Sequence, residues 1–207
     1  MRTRRNSDAS SPYAYLVVSC LRMMALVSAV VAAAAGSSSD HPQAEEEKNS
    51  EYFFACSGGE FDTAKILLEK DPSLAHATTK NGEHCLHLVA ISGGGAEIAK
   101  LVLDAGADPD VRSTWDSGLR MHPLSWNTFY GRHDVIELLL KYGANVNADF
   151  DLDGKGQRGT VLDVAEQILL GSADDDDSRE DKERFVKTRN VLVKNGAVRY
   201  ASLEPEL

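Results

Sequence analysis

Cysteine is scarce in this chain. Only Cys20, Cys56 and Cys85 carry thiols among 207 residues, so no framework of several disulfides can hold it together and stability must come from a packed core. Asn-x-Ser/Thr glycosylation acceptors are missing altogether, which argues mildly against secretion. Positive charge is also short: 22 Lys and Arg against 32 Asp and Glu leave a formal net charge of −10, which repels nucleic-acid phosphates and anionic lipid surfaces. A nucleic-acid partner is therefore not expected. No Gly-x-Ser-x-Gly elbow and no His-Glu-x-x-His helix occur, and Gly93-Gly94-Gly95 lacks the Lys-Ser/Thr of a phosphate loop. These gaps predict neither catalysis nor a bound cofactor. What is present, 43% hydrophobic and 26% charged residues, is ordinary for a globular protein and excludes a wholly disordered chain.

Charge and apolarity divide the chain. Residues 1–36 hold Arg2, Arg4, Arg5 and Arg22 against Asp8 alone, and include the longest apolar run, Met23 to Ala35, ending in Ala33, Ala34, Ala35 and Gly36. A basic start, an apolar centre and a small-residue exit fit a cleaved signal peptide; an Arg- and Ser-rich transit peptide, a membrane anchor over residues 13–36 and a plain extension stay open beside it. Residues 37–50 have no large apolar side chain and are expected to be a disordered linker, with the folded domain over 51–200 and a tail at 201–207. Cytoplasmic residence is expected for the folded part, with the secretory pathway or an organelle as the alternative that the leader offers.

Three stretches align with one another: Ile98 to Val111, Val135 to Ala148 and Thr188 to Ala201, each an apolar helical run closed by Gly-Ala. Their glycines, Gly106, Gly143 and Gly196, lie 37 and 53 residues apart, while Leu86, Leu124 and Leu162 in the segments upstream lie 38 and 38 apart. Periods of this length signal a solenoid of short helical repeats. Apolar residues such as Val135, Leu138 and Leu139 fall on one helical face, and the glycine that follows ends each helix in the left-handed conformation. An earlier copy, Thr63 to Thr78, closes with Asp71-Pro72 instead and would be a modified first repeat.

On Gly82, His84, Cys85, Leu86, His87, Ala90, Gly93, Gly106, Ala107 and Asp108, and on Gly131 to Ala148, GRHDVIELLLKYGANVNA, the chain resembles an ankyrin repeat protein over about residues 51–200. The resemblance implies an all-α solenoid of about four helix-turn-helix repeats with hairpin-like fingers, preceded here by the apolar leader. It departs from the family pattern at Asn127 and Thr128, which occupy small-residue positions, and at His122, where Thr is usual. It also implies that His87 hydrogen-bonds backbone at a helix start. Cys56 and Cys85 then read as buried thiols, and the His84, Cys85, His87 group as structural, because zinc needs four ligands and no second pair lies nearby.

Two acidic stretches carry weaker signals. Asp149, Asp151, Asp153 and Gly154 open like a calcium loop, but its twelfth position is Thr160 and not a bidentate Glu, so an Asp- and Gly-rich finger tip is expected, with a calcium-responsive binder as an alternative. Residues 171–184, GSADDDDSREDKER, are expected to be a solvated acidic insertion in the last repeat, in which Ser178 offers an acid-directed phosphorylation site.

The resemblance implies a protein-interaction module, an adaptor or scaffold that binds an unidentified protein partner through finger tips and the exposed face of the first helices. Carried over residue by residue, the partner-binding set is Lys80, Asn81 and Glu83 in one finger, Ile91 and Ser92 on the helix after it, Trp115, Leu119 and Met121 in the next finger, Phe129 and Tyr130 on its helix, and Tyr142 beyond. Aromatic and methionine side chains there would bury much area at little entropic cost. Trp126 is assigned to the core. A monomer is expected, with no metal.

Overall fold

The computed structural model describes residues 41–92, 95–114, 120–152, 156–171 and 179–203. The leader 1–36, Trp115, Leu119, Asp153, Gly154 and Ser178 lie outside the described residues. The elements are α1 (His41–Gly58), α2 (Phe61–Lys70), a 3-10 turn (Pro72–His76), α3 (Cys85–Leu88), α4 (Gly95–Asp104), α5 (Pro123–Phe129), α6 (His133–Lys141), β1 (Phe150–Asp151), β2 (Arg158–Gly159), α7 (Val161–Gly171), α8 (Arg179–Lys194) and a final 3-10 turn (Tyr200–Ser202).

Helix spacing dictates the stacking. In α4, Ile98, Ala99, Val102 and Leu103 recur every three or four residues and are buried, whereas Glu97, Lys100 and Asp104 are exposed; in α6 the buried set is Val135, Ile136 and Leu139. One such stripe is too narrow to bury a hairpin by itself, so each pair packs on the next. The inner row runs α1, α3, α5, α7 and the outer row α2, α4, α6, α8, with each helix touching its neighbours in the row and its partner in the hairpin. The core is continuous along the stack, from Tyr52 and Ala55 through Leu86, Leu124 and Trp126 to Ile168 and Leu192.

Three outer helices end alike. Gly106, Gly143 and Gly196 have φ of 91°, 92° and 84°, and the alanine after each donates its N–H back five residues, Ala107 to Val102 (3.2 Å), Ala144 to Leu139 (3.0 Å) and Ala197 to Leu192 (3.0 Å). These are Schellman ends, which satisfy carbonyls the helix itself leaves open. The first repeat solves the same problem differently: Asp71 leaves the helix extended, and its carboxylate accepts from the Ser73 N–H at 3.0 Å to start the 3-10 turn.

Three expectations need correction. Helix α1 begins at His41 and runs through most of the stretch expected to be a linker, so regular structure starts ten residues ahead of Glu51; polar residues extend a helix whose far end is anchored by Tyr52, Ala55 and Cys56. The acidic insertion is bounded by helix on both sides, with Gly171 ending α7 and residues 179–184 forming the first turns of α8. Cys56 and Cys85 are not thiols: they form a disulfide with Cα atoms 5.5 Å apart, linking α1 to the start of α3. Inner helices of neighbouring repeats lie side by side, which brings together two cysteines 29 residues apart. Closing a loop of that length contributes roughly 3 to 4 kcal/mol in the chain-entropy picture.

The helix ends predict opposite signs for two glycine replacements. A Cβ at Gly143 would meet nothing within 4 Å, so Gly143→Ala costs only its left-handed backbone, about 1 to 2 kcal/mol. Gly58, the last residue of α1, has no positive φ and only ordinary contacts around a Cβ, and should gain about 0.5 to 1 kcal/mol on becoming Ala. Urea unfolding of the two variants checks both; a stabilised Gly143→Ala variant would refute the Schellman assignment.

Candidate partner-binding surface

Each inner helix after the first starts in the same way with different chemistry. At α3, His84 Nδ1 accepts from the Leu86 N–H (3.2 Å), and the His84 N–H donates to His87 Nδ1 (2.9 Å). At α5, His122 Nδ1 accepts from the Ser125 N–H (3.2 Å), and the His122 N–H donates to Ser125 Oγ (3.1 Å). At α7, the Thr160 N–H donates to Asp163 Oδ2 at 2.8 Å. The first two are capping boxes, in which the third helical residue reaches back to the cap, and at α7 the reach-back half of that arrangement is present. Imidazole thus replaces a threonine hydroxyl twice, and with a longer reach.

That reach ties repeat to repeat. Because each Nδ1 accepts, the proton sits on Nε2, which donates to a finger carbonyl: His84 to Ala75 (2.5 Å), His87 to Met121 (3.2 Å) and His122 to Ala148 (3.3 Å). Thr160 Oγ1 does the same to Val198 at 2.7 Å. The backbone bond expected of His87 at a helix start is the one its Nδ1 accepts from the His84 N–H.

A second ladder comes from the Gly-Ala-Asx-x-Asx segments. The first Asx closes its own turn, with Asp108 Oδ1 accepting from the Asp110 N–H (2.9 Å) and Asn145 Oδ1 from the Asn147 N–H (3.0 Å). The second Asx reaches onward: the Asp110 carboxylate accepts from the Asn145 N–H at 3.0 and 3.1 Å, and Asn147 pairs with the Gly196 carbonyl (3.1 Å) and the Val198 N–H (2.9 Å).

The fingers themselves are also joined. The Thr114 N–H donates to the Asn81 carbonyl at 2.7 Å, beside Gly82, whose φ of 71° and lack of a Cβ permit the approach, since a Cβ would lie 2.7 Å from Thr114 N. Arg112 Nη1 donates to the carbonyls of Arg120 (3.1 Å) and Asp149 (2.9 Å), fastening the third finger to the β1–β2 hairpin, in which Phe150 pairs with Gly159 and Asp151 with Arg158. Arg158 Nε donates to Asp149 Oδ2 at 2.7 Å, and its guanidinium forms an ion pair with the same carboxylate. Arg120 sits at φ 40°, which among the described residues no other non-glycine shares as a positive value.

The rim carries charge of both signs, with Asp108, Asp110, Asp149 and Asp151 set among its cations. Lys80, Arg112, Arg120 and Arg158 are all exposed along it, whereas the whole chain carries −10. Asp110 and Asp149 lie in the same strip, turned toward Asn145 and Arg158.

The residues expected to bind a partner divide. Lys80 and Asn81 are exposed at a finger tip, while Glu83, Ser92 and Met121 are buried and must be withdrawn as contact residues. Glu83 folds back to accept from Thr79 Oγ1 at 2.5 Å, Ser92 Oγ donates to the Val89 carbonyl at 3.1 Å, and Met121 lies on the inner side of its finger. Ile91, Phe129 and Tyr130 are half-buried against the core, with Phe129 and Tyr130 edge to face at 5.8 Å. The Arg184 side chain of α8 lies over neighbouring Gly131, within 2.9 Å of a Cβ built there. Tyr142 is half-buried at the end of an outer helix, where its hydroxyl donates to Asp104 of the preceding repeat. The aromatic patch is therefore mostly a packing feature. Trp126 lies in the core, edge-on to His87 at 5.5 Å. The calcium-like carboxylates are engaged, Asp149 with Arg158 and Asp151 Oδ2 with the Gly156 N–H at 2.8 Å. Among the described residues no group of three or more His, Cys, Asp or Glu could hold a metal ion, and no helix is long and apolar enough to cross a membrane.

Residues that the sequence did not single out form most of this surface: Asp110, Arg112, Arg120, Asn147 and Arg158. The positions of Asp110 and Asn147, matched in the aligned Gly-Ala segments, were the available signal.

Comparison with known proteins places residues 52–150 in the family model described as ankyrin repeats, in three copies. The chain is 32% identical over 102 residues to the probable E3 ubiquitin-protein ligase XBOS33 of Oryza sativa subsp. japonica, covering 49% of this chain and 19% of that protein. It is 29% identical over 94 residues to the putative E3 ubiquitin-protein ligase XBAT31 of Arabidopsis thaliana, covering 45% of this chain and 20% of that protein. The chain thus spans about a fifth of the length of these relatives.

The histidine ties make stability depend on pH. Burial pushes His87 down to about 3, helped by nearby His84, and His122 down to about 4, helped by Arg112; burial lowers His84 too, against the bond to Ala75. Unfolded imidazoles accept protons near pH 6.5, so acid favours the unfolded chain. Stability should be complete above about pH 7 and fall by about 1.4 kcal/mol per pH unit for each of His87 and His122 as pH drops from 6.5 toward 4. Urea midpoints at pH 7, 6 and 5 measure this slope, and a flat profile would sink the neutral-imidazole account.

Proposed function

With residues 52–150 being ankyrin repeats, we propose that the chain is a non-catalytic protein-interaction module whose finger rim binds an acidic segment of a protein partner. One observation carries this reading: the fingers are hydrogen-bonded to one another, through Thr114 to Asn81 and Arg112 to Asp149, while exposed cations line the strip. A rim fixed before binding loses little conformational entropy on association. On a body of net charge −10, exposed cations can reward an acidic segment only by contact at short range, so they select for orientation and make binding sensitive to salt.

The relatives are named as E3 ubiquitin-protein ligases. Their aligned stretches, 94 to 102 residues, are about as long as the ankyrin run itself, so no ligase chemistry is proposed for this chain. Nor is calcium binding, because Asp149 and Asp151 are used within the hairpin.

The test is capture from cell extract by the full chain against its Lys80→Glu, Arg120→Glu double variant, quantified by mass spectrometry at two salt concentrations. Neither side chain is buried, so the circular dichroism spectrum should be unchanged. Partners should be lost by at least tenfold and should weaken with salt in the unaltered chain. Equal recovery by both proteins would remove the rim from the binding site. Phe129→Ala, by contrast, should lower stability by about 1 to 2 kcal/mol because the ring is packed against the core, and thermal melting distinguishes that effect from lost binding.

A further inference from the structure

Cys56 and Cys85 are each 0% exposed and sit on adjacent inner helices with Cα atoms 5.5 Å apart, a separation in the middle of the range that bridges occupy. In a stack, each repeat is held only by its neighbours, so the end repeat opens first. The bridge falls at that end and fixes the first hairpin to the second. Bridges of this structural kind form and persist in oxidising compartments and are rare where glutathione and thioredoxin keep thiols reduced. An independent observation points the same way: residues 1–36 combine Arg2, Arg4 and Arg5 with the apolar run Met23 to Ala35 and the exit Ala33-Ala34-Ala35-Gly36. A cut at that exit falls ahead of His41, where α1 starts.

We propose that residues 1–36 deliver this chain into an oxidising compartment, where Cys56 and Cys85 close into a permanent bridge that locks the terminal repeat. The oxidant is a protein disulfide of that compartment. One Cys thiolate attacks it, giving a mixed disulfide and releasing the first of its sulfurs; the second Cys then displaces the other. One S–S bond breaks, one forms, and the two thiol protons end on the donor's two sulfurs. The protein disulfide is reduced to a dithiol as the pair in this chain is oxidised.

This assigns the array to a place where a cytosolic adaptor does not work, and it does not depend on which surface binds. The full chain, expressed from its own Met1 in cells with both a reducing cytosol and a secretory pathway, is alkylated during lysis and denaturation and mapped by mass spectrometry without reduction. The expected product lacks residues 1–36 and yields a peptide containing Cys56 joined to one containing Cys85, neither alkylated. Complete alkylation of both cysteines, or a joined pair found only in the cytosolic fraction with Met1 intact, overturns the proposal. A second measurement does not require a foldable variant: after full reduction in denaturant and refolding in reductant, the purified protein should melt roughly 10 °C lower, with faster amide exchange in α1 and α2 than in α6 and α8. An unchanged melting temperature and exchange pattern would show that the bridge locks nothing.

Discussion

The constraint on which this architecture depends is the backbone carbonyl left over where a finger turns back toward the stack. No helix of its own repeat can satisfy it, and a buried carbonyl without a donor costs about 1 to 3 kcal/mol. The chain supplies the donor from the first residues of the inner helices: His84 to Ala75, His87 to Met121, His122 to Ala148 and Thr160 to Val198. The histidines among them also take part in capping the helices they begin. Helix start, finger position and contact between repeats are therefore one hydrogen-bonded arrangement, and the rim inherits its rigidity from it.

Electrostatics and packing then divide the labour. Apolar seams hold the rows together, while charge is almost wholly a surface matter. The Lys100–Asp104 pair on α4 is about half exposed at both ends and adds little to stability. On the fingers, exposure gives charge a different value, since an unburied cation keeps its field available to whatever approaches.

The period of the fold was legible because it is written in covalent necessities. The last three outer helices end on a left-handed residue, so Gly106, Gly143 and Gly196 appear at matching places, and the last three inner helices bury the leucines at 86, 124 and 162. Exposure within the fingers was not legible. A finger has an inner side, and nothing local tells that Glu83 and Met121 face it while Lys80 and Asn81 face out. Phe129 and Tyr130 misled for a related reason, since an aromatic at a groove position can serve its neighbours in the stack. The disulfide was hidden because pairing depends on the lateral distance between helices 29 residues apart along the chain. The polar turns of α1 lack an apolar period, so only the packed end of that helix could be anticipated.

The third repeat carries a different kind of consequence. Trp126 Nε1, Asn127 Oδ1 and Thr128 Oγ1 are buried on α5 without a hydrogen-bond partner among the described residues, although Asn127 Nδ2 reaches the carbonyls of Leu86 (3.0 Å) and Pro123 (2.8 Å). A seam with unmet polar atoms is a weak joint in a one-dimensional array, and this one lies between the disulfide-linked hairpins and the C-terminal hairpin. The molecule is thereby polarised along its length: disorder entering at the C-terminal hairpin has a natural place to halt, and the segment before it can outlast the segment after it.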